Sequence, residues 1–95
     1  DGTVANRRIF FDPAGLRAAG ARGGCDGLKL DQRGNLFATG PGGVLIISPT
    51  GQHLGTLATG TRIANVAWGN DGHTLYLTAD SYLCRIRTKT KGVGF

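Results

Sequence analysis

Asp26, in the stretch Cys25-Asp26-Gly27, is the side chain of this 95-residue sequence with the strongest claim to chemistry. A carboxylate can bind a hard cation through oxygen, or take a proton from water. Asp-Gly pairs are also common turn formers, in which the acid accepts hydrogen bonds from nearby backbone N–H groups. Residue type alone leaves both readings open. Further oxygen donors are Asp31, Asn35, Asn65, Asn70, Asp71 and Asp80. Asp31, Asn35, Asn70 and Asp71 fall in expected hairpin turns, where Asn and Asp serve backbone geometry. Asn65 falls near the start of a strand, where capping is the plainer reading and cation ligation the other.

Other candidates for chemistry are weaker. His53 and His73 lie in or beside turns, with no serine or carboxylate at a spacing that suggests a triad, and are read as solvated. The run "GPGG" (40–43) lacks the lysine and the following helix of a phosphate loop, so it is read as a hairpin turn. Cys25 and Cys84 are the only cysteines. One such pair makes neither a disulfide framework nor a structural zinc site, and two free thiols, one of them buried, are expected.

The elements that must position these groups are short strands. Residues 4–11, "VANRRIFF" closed by Ile9, Phe10 and Phe11, read as a strand. Pro13 opens a turn, and 14–21 reads as a loop with at most one helical turn, weakened by Gly15 and Gly20. Alternating apolar residues then predict strands at 27–31 and 35–40 around the turn "QRGN". The unbroken apolar run 44–48 predicts a strand covered on both faces, and 53–60 a weaker edge strand. Three more strands are expected within 64–89, the first two joined by Asn70-Asp71-Gly72.

This pattern repeats. Placing Gly34 over Gly72 aligns "LKLDQRG" with "VAWGNDG" without a gap, and one extra residue then aligns "LFAT" with "LYLT" and "VLII" with "LCRI". Self-similarity at a period of about 40 residues, with four short strands per unit, is the signature of propeller blades. The expected fold is all-β: two four-stranded antiparallel blades' worth of a β-propeller, incomplete as a single chain. Its parts are an outer strand of a preceding blade (4–11), a full blade (27–58) and three strands of the next (64–89). Phe37, Trp68 and Tyr76 are expected in the core between blades.

Composition narrows the function classes. Hydrophobic residues are 40% and charged residues 18% of the chain, a globular balance, and its 17 glycines punctuate apolar runs as turn residues do. The net charge of +5 does not point to nucleic acid. Arg85, Arg87, Lys89 and Lys91 alternate with neighbours as on the solvated face of a strand, without stacking aromatics. No run approaches the ~20 apolar residues that span a bilayer, so no membrane partner is expected. The chain has no methionine, at its start or elsewhere, and no visible secretory signal, so a processed or truncated piece is expected. Its compartment, cytoplasmic or periplasmic, is left open.

The segments "CDGLKLDQRGNLFATGPGGVLIISPTGQHLGTLATG" (25–60) and "ANVAWGNDGHTLYLTADSYLCRIRTKTKG" (64–92) together resemble the late blades of a known family. It is the gluconolactonase, senescence-marker-protein and luciferin-regenerating-enzyme family, and "VANRRIFFD" resembles the outer strand before those blades. The resemblance implies a six-bladed propeller that hydrolyses lactones with one divalent cation in its channel. Calcium is the first candidate for that cation, with zinc, magnesium and manganese as alternatives. The resemblance makes Asp26 a metal ligand and the catalytic group that activates water. A metal there would polarise the lactone carbonyl and lower the pKa of a bound water. Two departures stand out: Cys25 replaces the family's usual proline, and the family's glutamate and asparagine ligands come from blades outside this chain.

Three expectations follow. The chain is part of a metal-dependent lactonase acting on sugar-acid lactones. Alternatively it is a non-catalytic two-blade unit that binds a partner. In a third arrangement three copies close six blades head to tail, so that the homo-oligomer replaces the missing blades.

Overall fold

The computed structural model describes residues 2–95. Its strands form where apolar alternation meets Gly and Asx turns. They are β1 (Leu28–Leu30), β2 (Leu36–Gly40), β3 (Gly43–Ile47), β4 (His53–Leu57), β5 (Ile63–Gly69), β6 (Thr74–Ala79) and β7 (Tyr82–Arg87). One short helix, α1 (Ala14–Ala18), occupies the segment read as a loop. The strands make two antiparallel meanders, β1-β2-β3-β4 and β5-β6-β7.

The sheets pack face to face, with β1 and β2 beside β5, so the leading strands of both sheets come together. Period-2 alternation decides which side chains meet. Phe37 and Val44 of the first sheet join Ile63, Val66, Leu75, Leu77 and Ala79 of the second in one buried core. The Phe37 and Trp68 rings meet edge to face, with centroids 5.0 Å apart, a geometry that suits the aromatic quadrupole. Trp68 Nε1 donates to the Leu30 carbonyl at 3.0 Å, so its polar end is also satisfied across the sheets. Burial of every residue of β3 but the half-buried Ile46 agrees with its unbroken apolar run.

The structure differs from the sequence-based expectation in three places. Residues 4–11 form no strand, because no strand edge of this chain lies alongside to supply ladder partners. Instead Ile9, Phe10 and Phe11 lie over the far face of the first sheet, around a cavity of about 330 Å³ shared with Leu28, Leu36, Leu45 and Ile47. This cover buries Leu45 and Ile47 even though they point away from the core. Secondly, Tyr76 is not between the sheets. Its pairing with Ala67 puts it one register step from Leu75 and Leu77, on the opposite face, where its hydroxyl donates to Asn70 Oδ1 at 2.9 Å. Thirdly, neither thiol is fully buried: Cys25 is exposed and Cys84 half-buried, and both are free.

The last residues strap the two sheets together at the β1–β2 and β5–β6 turns. Gln32 N donates to Lys91 O, Val93 N to Leu30 O, and Gly92 N to Gly72 O. Gly92 lies flat on the Trp68 ring, where any Cβ would collide with indole carbons. The anchor is Asp31, only 1% exposed. Its carboxylate accepts from Arg33 N, Asn35 N, Asn35 Nδ2 and, at 2.7 Å, from Thr90 Oγ1 of the strap. Burial pushes the Asp31 pKa up, but the hydrogen bonds from Asn35, Thr90 and Arg33 outweigh it and hold it below the ordinary carboxylate value.

With a folded pKa below the unfolded one, the stabilisation from Asp31 is full above the unfolded value. It is lost as pH falls through the folded value. Asp31→Asn is therefore expected to destabilise by about 1–3 kcal/mol at pH 7, with the gap to wild type narrowing towards pH 3. Urea unfolding at both pH values measures this.

Candidate functional site

The leading ends of β1 and β5 lie side by side, and the residues just before them form the candidate site. Asp26 stands two residues before Leu28. Its backbone is held from below by Thr39, a β2 residue 1% exposed. The Asp26 and Gly27 N–H groups donate to Thr39 Oγ1 at 3.0 and 2.9 Å, and that hydroxyl donates back to the Gly27 carbonyl at 3.3 Å. The second sheet repeats the device: Asn65 N donates to Thr78 Oγ1 at 3.0 Å, and Thr78 Oγ1 donates to Asn65 O at 3.4 Å. The internal repeat read from sequence thus has a hydrogen-bonded counterpart, in which Gly27 matches Asn65 and Asp26 matches Ala64.

Above this clamp the Asp26 side chain is exposed. Among the described residues no hydrogen bond or ion pair reaches its carboxylate. Asn65 adopts the capping role, with Oδ1 accepting from Val66 N at 2.9 Å. Its side chain lies so close to Gly27 that a Cβ there would collide with Asn65 Oδ1. Gly27 is thus required by a close approach between the two sheets.

Asp26 shares a hollow of about 350 Å³ with Gly24, Arg62, Thr78 and Asp80. Arg62 precedes β5 and Asp80 opens the β6–β7 turn, so loops from both sheets converge here. Sequence reading assigned no role to Arg62. The signal available for it was the repeat, which sets this arginine against Gly24.

The remaining oxygen donors lie at the other end of the strands or are engaged. Asp31 is consumed by the strap. Asp71 accepts from His73 N at 3.1 Å and pairs with Arg87 at 3.0 Å, and these contacts lower its pKa, the His73 bond first. His53 Nε2 lies 3.0 Å from Thr56 Oγ1, and His73 Nδ1 lies 2.8 Å from the Thr90 carbonyl. Neither imidazole lines the hollow that holds Asp26.

Among the described residues no three His, Cys, Asp or Glu side chains gather as a metal site would require. The hollow offers two carboxylates, too few to complete the oxygen shell of a divalent cation, with the Arg62 guanidinium beside them. The residues of this chain alone therefore do not make a divalent-cation site, and Asp26 fits only as one donor of a larger set.

Two antiparallel sheets, successive in sequence, related by an internal repeat and stacked with their leading strands together, are consecutive blades of a β-propeller. The chain belongs to the SMP-30/gluconolactonase/LRE-like family, whose profile matches residues 1–81. A gluconolactonase of Zymomonas mobilis subsp. mobilis is 39% identical over 88 residues, covering 90% of this chain and 23% of the relative. A structural-genomics X-ray structure of a protein assigned as a gluconolactonase superposes with a TM-score of 0.72 at 32% identity, over 77% of this chain and 26% of that one. A Xanthomonas campestris gluconolactonase shares the fold, with a TM-score of 0.73 at 24% identity over 97% of this chain and 27% of that one. The chain spans about a quarter of the length of these relatives.

Proposed function

We propose that this chain supplies two consecutive blades of a gluconolactonase-type lactone hydrolase. Its contribution to the reaction centre is Asp26, as one ligand of a divalent cation and the group that activates water. The observation that carries the reading is an exposed carboxylate with no partner among the described residues, at the leading end of a blade and on a backbone clamped by Thr39. The equivalent residue of the next blade is Ala64, so blade construction does not require an acid there. Thr39 holds the Asp26 backbone while the carboxylate stays free to bind or to accept a proton. The remaining ligands come from outside these 95 residues. Calcium is the first candidate cation, and zinc, magnesium and manganese are its competitors in the assay. The substrate class is a sugar-acid lactone.

The test uses a graft, with this chain replacing the matching segment of the Zymomonas mobilis gluconolactonase. Hydrolysis of gluconolactone is followed with Asp26 intact and with Asp26→Asn, across the four cations. Full activity after the substitution would refute the assignment of Asp26.

The blade edges favour an accompanying reading, in which the chain associates with further blades, its own copies included. The second blade stops at three strands, and its edge strand β7 leaves Tyr82 68% and Leu83 72% exposed. Self-association predicts a trimer mass by light scattering, and a monomer mass at high concentration would refute self-closure.

A further inference from the structure

We propose that Arg62 and Asp80 form, beside Asp26, a subsite for an aldonic acid, the open-chain product of a sugar-acid lactone. The inference rests on the lactonase reading and deepens it. Three observations carry it.

Arg62, Asp80 and Asp26 reach one hollow from three separate segments, and that hollow, at about 350 Å³, has room for a six-carbon sugar acid. Secondly, the internal repeat shows that these charges are not needed to build a blade. Gly24 of the first blade matches Arg62, and Pro41 matches Asp80. Thirdly, Arg62 is uncommitted: among the described residues the ion pair is Asp71 with Arg87, and none involves Arg62.

The chemistry matches these groups. Water adds to the lactone carbonyl carbon and the bond from that carbon to the ring oxygen breaks. The ring oxygen leaves as a hydroxyl carrying one proton of the water, and the other proton passes to solvent. The acyl carbon is left as a carboxylate. A guanidinium offers a planar fork of N–H donors suited to a carboxylate. The Asp80 carboxylate accepts hydrogen bonds from the sugar hydroxyls that the opened chain presents. Arg62 thus binds the negative charge that hydrolysis creates, and Asp80 selects a polyhydroxylated chain over a plain fatty acid.

The test titrates the ¹⁵N-labelled 95-residue chain with sodium gluconate and, separately, with sorbitol, the matching polyol without a carboxylate. Gluconate is expected to shift the Arg62 side-chain and Asp80 backbone resonances, and sorbitol to leave Arg62 unmoved. Arg62→Gln is expected to weaken gluconate binding about tenfold, the worth of one charge-assisted hydrogen bond, with Arg62→Lys between the two. In the grafted enzyme the inhibition constant for gluconate should rise by a similar factor in Arg62→Gln. Equal binding of gluconate by wild type and Arg62→Gln overturns the subsite. If Asp26→Asn still abolishes hydrolysis in that case, the lactonase reading survives. Conversely, Arg62-dependent gluconate binding with hydrolysis untouched by Asp26→Asn keeps the subsite and overturns the lactonase reading.

Discussion

Replacing Asp26 with asparagine in the grafted enzyme is expected to lower kcat/KM for gluconolactone by roughly 100- to 10,000-fold, the range for removing a positioned proton-transfer group. The substitution is close to isosteric and lies on an exposed side chain, so the fold should not change. Thr39 holds the residue through the Asp26 and Gly27 N–H groups, contacts that asparagine retains. What changes is charge. An amide oxygen binds a hard cation more weakly than a carboxylate and does not accept a proton from water. The loss should therefore fall mainly on kcat, and apparent cation affinity should fall with it. Circular dichroism matching wild type would separate this outcome from misfolding. A loss smaller than about threefold would remove Asp26 from the reaction centre, since any positioned acid–base group contributes far more.

Phe37→Ala is expected to be the most damaging single change to stability, at about 3–5 kcal/mol. Phe37 is 4% exposed and belongs to the core cluster with Val44, Val66 and Leu77, and its ring meets that of Trp68 edge to face. Truncation loses the transfer free energy of the ring and leaves a cavity that two twisted sheets cannot close without moving. Domains of this size are held by only about 5–15 kcal/mol, so the variant should unfold at low urea. Trp68 is the only tryptophan and packs on Phe37, so its fluorescence reports this interface directly. Leu83→Ala is the control: the residue is 72% exposed, and a change within about 0.5 kcal/mol is expected for such a site. A cost below about 1 kcal/mol for Phe37→Ala would mean that the two sheets are not the packed unit described above.

The strands and turns were largely legible because their causes are local. Alternation at Leu28 and Leu30, the "QRGN" turn and the glycines at 34 and 72 act within a few residues, as turn chemistry does. Gly34 and Gly72 both adopt positive φ, and Asn70 does so beside the second, which is why the two turns align in sequence. Residues 4–11 show where local reading stops. Their apolar pattern suits a strand, but a strand exists only beside an edge that completes its hydrogen bonds, and this segment pairs with none of the open edges of β1, β4, β5 and β7. It lays Phe10 and Phe11 along a sheet face instead, half-burying Phe11. Tyr76, which faces away from the first sheet, shows a related limit. A single step of register moves a side chain to the opposite face, and composition does not distinguish the two.

For the site, the sequence alone determined that Asp26 opens a blade and that its counterpart in the next blade carries no acid. The spacing of a repeat conveys that much, because each blade repeats the same local sequence of strands and turns. How each carboxylate is engaged was decided by tertiary structure. Asp31 reads as a turn residue in sequence, but only the fold shows how far it is engaged: Thr90, 59 residues away, donates to it, and the strap buries it. Its lone pairs are spent on holding the chain together. Asp26 is held only by its backbone, so its side chain is free, and Arg62 and Asp80 come from distant loops to share its hollow. Hydrogen-bond partners separated by tens of residues are set by how sheets stack, and no local pattern encodes that.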